Sequence, residues 1–168
     1  MANRLNKKQK RLELFGGYYA EATEDGTFHI RERGLLVSPH EYSAVDMITV
    51  CSYALFRARE PRIDLLFSDL SWFLGALEVY EVVHFGGKNG LAILAAAREN
   101  GTYLLTDDGR EIAFVPGFPR VGILDDRFLV VYDPEPPGPY VKVYNFRGDL
   151  VSEGLLWDAQ EKALKWKP

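Results

Sequence analysis

Between Val79 and Gly154 turn-forming residues interrupt the chain at short intervals: Gly86–Gly90, Asn100-Gly101, Asp108-Gly109, Pro116-Gly117-Phe118-Pro119, Asp125-Asp126, Pro134–Pro139 and Arg147-Gly148. A helix needs about ten residues to bury an apolar stripe, whereas a strand needs about five or six. Asn-Gly and Asp-Gly also supply the left-handed conformations that tight hairpins require. The runs between these breaks (TYLLTD, REIAFV, VGILDDRFLVVYD, YVKVYNF, LVSEG) are rich in β-branched and aromatic residues, as strands are. The second half is therefore expected to be a largely antiparallel β-meander.

The stretch VVHFGGKNGLAILAAAREN, Val82 to Asn100, admits two readings. In the first, a strand leads into a glycine cradle and then a helix over Leu91 to Glu99, whose N-terminal amides face an anion. The phosphate-loop pattern is absent, because Lys88 precedes Gly90 and no hydroxyl residue follows it. In the second, Gly86 to Gly90 is a reversal between strands. The second reading is preferred, although Ala95-Ala96-Ala97 is poor strand material and keeps the helix open as an alternative.

Upstream, LELFGGYYAEATEDGTFHIRERGLLV reads as an N-terminal β-hairpin turning at Glu24-Asp25-Gly26, followed by a third short strand. At Ser38 the period changes. Ser38 and Glu41 have capping-box spacing, and Pro39 suits a first helical position. Ala44, Met47, Ile48, Cys51, Leu55 and Ala58 then recur at three and four, which predicts a helix over Ala44 to Ala58. Ile63, Leu66, Phe67, Leu70, Phe73, Leu74 and Leu77 repeat the spacing, with Leu65, Trp72 and Ala76 filling the other side. Together the two segments predict a central helical hairpin, with any apolar face left over serving as a homodimer contact. The final LLWDAQEKALKWKP is expected to be a closing strand, the alternative being a short helix through Leu156, Ala159 and Ala163. The expected fold class is thus α+β, in a single domain over residues 12–168 with a flexible basic arm over 1–11. One internal echo joins YLLTDDGREIAFV to VKVYNFRGDLVSE at a spacing of 39 residues, near the period of a propeller blade. With a helical segment occupying the place of a third blade, this reads as chance likeness of hairpins.

Charge is unevenly placed. Arg4, Lys7, Lys8, Lys10 and Arg11 carry five positive charges before the first acidic residue, while the whole chain has a formal charge of −4. An arm of this kind can neutralise phosphates on nucleic acid or meet an acidic protein partner, or it is a solvated terminus. No run is long and apolar enough for a signal peptide or a membrane span, and the single cysteine, Cys51, excludes an internal disulfide. A cytoplasmic protein with no membrane partner is expected. Low Gln and Met content beside twelve Arg leans towards a thermophilic source.

Catalytic signals are sparse. His29, His40 and His84 show no metal-ligand spacing, and no nucleophile motif is present, so no metal or cofactor is expected. His84, oriented by Glu81, is the catalytic candidate, with Gly86, Gly87 and Lys88 as the ligand-binding candidates. Asp107-Asp108 and Asp125-Asp126 fall in turns, where Asp bonds to backbone. The expected function is a non-catalytic interaction or regulatory protein. The alternative is a small enzyme or ligand-binding protein handling a phosphorylated or acidic ligand near His84, Lys88 and the glycine turn.

Overall fold

The computed structural model describes residues 10–85, 91–133 and 140–167. Among them the chain forms sixteen strands and one helix, with 59% of residues in strands and 6% helical. The α+β expectation is corrected accordingly: the protein is nearly all antiparallel sheet, and no central helical hairpin exists.

Two compact units divide the chain, one of Met1–Glu78 with Asp107–Gly109, the other of Val79–Thr106 with Arg110–Pro168. In the first, β1 (Arg11–Glu13), β2 (Tyr18–Ala22), β3 (Phe28–Glu32) and β4 (Leu35–Leu36) pair in succession. Next comes a second meander of β5 (Tyr42–Thr49), β6 (Ser52–Arg57), β7 (Ile63–Phe67) and β8 (Trp72–Ala76). The pair Phe28↔Tyr42 joins β3 to β5, making one eight-stranded sheet. Its core gathers Ile30, Tyr42, Val45, Tyr53, Leu55 and Leu66.

The physical reason the helical spacing misleads lies in the bulges of β5. Register shifts occur between Tyr42 and Ala44 and between Met47 and Thr49. A bulge adds one residue to one strand, so the buried face steps by three instead of two; Tyr42 and Val45 are both buried at that spacing. In β6 and β7 four consecutive residues are buried, and a strand covered on both faces has no alternation to read. The capping box is also reused. Ser38 Oγ accepts the His40 N–H at 3.2 Å and meets the Tyr42 hydroxyl at 2.7 Å, forming a turn at the entry to β5. Cys51 lies in the β5–β6 turn, half-buried, and Ser68-Asp69 forms the reversal between β7 and β8.

The second unit holds two four-stranded sheets. One is β9 (Glu78–Phe85), β10 (Leu91–Arg98), β11 (Gly101–Thr106) and β12 (Glu111–Val115); the other is β13 (Arg120–Leu124), β14 (Phe128–Tyr132), β15 (Tyr140–Asn145) and β16 (Leu150–Leu155). Ile93, Ala95 and Leu104 of the first pack against Val121, Leu129, Val131 and Tyr144 of the second. The helix α1 (Leu156–Leu164) covers the other face of the last sheet, setting Ala159 and Ala163 on Phe128, Val130, Val141 and Val143. This segment is thus the helix of the alternative reading and not a closing strand. The i, i+4 alanines are small enough to bring a helix close to the sheet, and they decide the matter.

The 39-residue echo is structural. Phe67, Thr106 and Asn145 each donate their backbone N–H to the carbonyl four residues on, at 3.0, 2.8 and 3.0 Å. Positions 70, 109 and 148 are left-handed, with φ of 68°, 94° and 92°. The pairs Leu66↔Trp72, Leu105↔Glu111 and Tyr144↔Leu150 keep the same offset. The segment with apparent helical spacing is therefore itself a copy of the hairpin, which removes the chance-likeness reading. Thr23 closes onto Thr27 in the same way, with Gly26 at φ 80°.

A side chain at Gly148 would place its Cβ 2.2 Å from the Ile112 carbonyl oxygen, whereas one at Gly26 meets open space. Gly148→Ala is expected to lower stability by about 2–4 kcal/mol, and Gly26→Ala by only about 1 kcal/mol from the left-handed conformation. Urea unfolding of the two variants checks the difference; equal losses would contradict it.

Candidate functional site

The sequence candidates are scattered. His84 lies exposed in β9, and Glu81 is in the same strand. Gly86, Gly87 and Lys88 lie outside the described residues, as do Arg4, Lys7 and Lys8 and the Pro134–Pro139 segment. The chain after Gly90 forms a strand of the same sheet as β9 and not a helix. Lys10 is exposed immediately before β1. Arg11 is part of β1, where its Nε bonds Glu13 at 2.6 Å and its guanidinium lies 3.6 Å from the Tyr19 ring centroid. Asp125 and Asp126 occupy consecutive left-handed positions in the three-residue turn between the paired Leu124 and Phe128.

Two clefts are formed instead by residues distant in sequence. In the first unit, the Phe28↔Tyr42 pair brings β3 beside the entry to β5, so that His29, His40, Glu41, Arg57, Arg59 and Glu60 line a polar cleft of about 200 Å³. Its floor is a buried ionic network. Asp64, fully buried, accepts hydrogen bonds from Arg57 NH2 and the Gly75 N–H, both at 2.8 Å, and from the Tyr42 hydroxyl at 2.8 Å. The phenol proton goes to Asp64, so Ser38 donates to Tyr42. The Asp64 hydrogen bonds, above all, raise the Arg57 pKa and keep it charged; burial chiefly, reinforced by Asp64, pushes the Tyr42 phenol well up.

The remaining charges of this cleft are matched at its rim. Arg57 NH1 reaches Glu60 at 3.2 Å, while Glu41 lies 3.8 Å from His29 Nε2 and 3.9 Å from Arg59. Among the described residues no group of three His, Cys, Asp or Glu side chains could hold a metal ion. His29 Nδ1 is buried without a hydrogen-bond partner among the described residues, but the arginines and carboxylates of the cleft are paired with one another, so the cleft acts as a brace tying β3, β5, β6 and β7 together. Sequence spacing could not reveal it, because His29 and His40 meet only through one cross-strand pair.

In the second unit, the link between the two sheets, Pro116-Gly117-Phe118-Pro119, forms one wall of a groove of about 190 Å³ whose other wall is Val131, Tyr132, Asp133, Tyr140 and Lys142. This link is pinned from beneath. Tyr80 donates its hydroxyl to the Pro119 carbonyl at 2.6 Å, and Thr102, fully buried, donates to the Gly117 carbonyl at 2.7 Å. Tyr80 also stands edge-on to Phe118 at 6.3 Å. Above this support the apolar side chains face outward: Phe118 is 58% exposed and Tyr140 53%. Leu155, opposite Tyr140 in register and 65% exposed, extends the surface, and Trp157 two residues on is 77% exposed. Directly opposed residues share a sheet face. The available signal in the sequence is an aromatic beside proline and glycine in each of the stretches PGFP and PGPY, the first of which reads as a loop and the second as a stiff hairpin loop or a polyproline ligand.

Compared with known proteins, the chain matches no family model, no curated protein and no solved structure. Among the described residues no helix is long and apolar enough to cross a membrane.

Removing Asp64 strands Arg57 in a nearly buried site, so Asp64→Ala is expected to cost roughly 3–5 kcal/mol. The raised Tyr42 pKa has its own consequence. The unfolded phenol ionises near pH 10 while the folded one stays protonated, so the stability this supplies is complete below pH 10 and lost as pH rises above it. Tyr42→Phe should flatten that alkaline decline, and urea midpoints between about pH 8 and 11 measure it. An unchanged slope would contradict the assignment.

Proposed function

We propose that the protein is a non-catalytic interaction protein whose second unit receives an extended segment of a partner protein in the groove of Phe118, Tyr132 and Tyr140. The observation that carries this reading is the combination of exposed aromatic side chains with a backbone held beneath them by Tyr80 and Thr102. Large aromatic surface left in water is costly unless it is covered in use. Holding it on a fixed loop lowers the ordering entropy lost on binding. Aromatic-lined grooves flanked by proline suit extended, proline-containing peptides, which arrive already restricted in conformation.

The alternative of a phosphorylated or acidic ligand held near His84 and Lys88 is weaker, since a strand follows Gly90 and offers no helix N-terminus to an anion. A nucleic-acid role for the basic arm retains Lys10 among the described residues, whereas Arg11 is engaged by Glu13 and Tyr19.

Selection from a displayed library of random and proline-containing peptides tests the reading. Peptides enriched on the parent protein are expected to lose binding at least about tenfold to Phe118→Ser and Tyr140→Ser, with melting temperatures close to the parent. Enriched peptides indifferent to both substitutions would overturn it.

A further inference from the structure

At the end of the last sheet, in the second unit, two reversals lie side by side: the β13–β14 turn ending in Arg127 and the β15–β16 turn carrying Phe146 and Arg147. Phe128 and Asn145 are direct cross-strand partners, which fixes the two turns as neighbours. Trp166, just beyond α1, closes the third side edge-on to Phe128 at 6.2 Å. The result is a cleft of about 300 Å³ lined by Arg127, Phe128, Asn145, Phe146, Arg147 and Trp166. It is separate from the aromatic groove and shares no residue with it.

We propose that this cleft binds a small planar aromatic anion, an aryl group bearing a carboxylate or a phosphate. Its walls supply both halves of such a ligand. Phe146 and Trp166, both half-buried, offer aromatic surface to a ring, with the buried Phe128 behind them. At the exposed mouth Arg147 offers its guanidinium and Arg127, which lies 5.3 Å from the Phe128 ring centroid, offers its NH1 side, donors suited to carboxylate and phosphate oxygens.

The hydrogen bonding of the turn leaves donor capacity there. Asn145 Nδ2 already donates to Asp149 Oδ2 at 2.8 Å, and Arg147 Nε stands 3.9 Å from that same oxygen. Arg127 uses Nε and NH2 on Asp125, with NH1 outside that pair. Asp125, Asp126 and Asp149 are the three carboxylates of the two turns, against Arg127 and Arg147. Arg110, which donates to the Phe146 carbonyl at 2.6 Å, and the exposed Lys167 beside Trp166 then tip the local charge positive. The shape is preset: Asn145 Oδ1 accepts the N–H groups of Arg147 and Asp149 at 3.0 and 2.9 Å, so the arginine-bearing turn is ordered before any ligand arrives.

The test is titration of the full chain with 2-naphthoate, 1-naphthyl phosphate and neutral 2-naphthol, monitored through the indole N–H resonance of Trp166 and the amide resonances of Phe146 and Arg147. Saturable shifts with at least one of the two anions are expected, the tighter of them naming the anionic group, with 2-naphthol at least about tenfold weaker. The Arg127→Gln, Arg147→Gln double variant should lose the anion at least about tenfold while keeping its spectrum elsewhere. If that variant is perturbed, Arg147→Gln alone, at an exposed position, serves in its place. Non-saturating shifts, equal binding of 2-naphthol, or affinity unchanged in the arginine variant would overturn the proposal.

Discussion

The structure depends on how its hairpins reverse. In four turns the residue ending one strand, or Thr23 just past the end of β2, donates its N–H across to the carbonyl four positions on, and the residue just before that acceptor adopts a left-handed backbone. Glycine fills that position at 26, 109 and 148, where it costs nothing sterically, while Leu70 fills it at φ 68°. Because side-chain facing in a sheet repeats every two residues, a slip in any such turn would exchange the buried and exposed faces of the following strand. The turns therefore set which residues form the cores, and the recurrence of one turn at positions 67, 106 and 145 sets them in the same way each time.

Surface chemistry derives from that scheme. Most strands of the two cores bury several of their side chains, so much of the exposed aromatic and charged surface lies in turns, links and strand ends. The groove of Phe118 and Tyr140 lies at the link between two sheets and at the start of β15; the arginine-bearing cleft lies at two adjacent reversals. Each is held by partly buried polar contacts, Tyr80 and Thr102 in the one and Asn145 in the other. The ionic network of Asp64 performs the corresponding task in the first unit, where it braces the sheet and consumes the charges around it. Loops positioned by rigid sheet can present aromatic and charged groups at low entropic cost.

Legibility in the sequence tracks these same causes. The second half reads correctly as a meander because short β-branched and aromatic runs are divided by turn residues, with Gly109 and Gly148 taking the left-handed conformation such turns use, and even the alanine run of β10 pairs as a strand. The stretch from Ser38 to Leu77 misleads because two bulges in β5 imitate helical spacing and because β6 and β7 are covered on both faces. Its residues nevertheless include Val45, Ile48, Thr49, Val50 and Tyr53, whose side chains favour strands, and in the folded chain that preference prevails over the capping box. In the last segment Ala159 and Ala163 carry the helical signal, which Leu164 and Trp166 obscure. The groove and the cleft are opaque for another reason: they are assembled by cross-strand register, and register is not visible until the strands are known.

The central claim, that Tyr42 to Ala76 is a bulged sheet closed by the same turn as its two successors, is tested most directly by backbone nuclear Overhauser effects in labelled protein. The account predicts cross-strand contacts between Met47 and Tyr53, between Ala54 and Leu65 and between Leu66 and Trp72. Contacts between residues three apart along Ala44 to Ala58, with the cross-strand set missing, would contradict it.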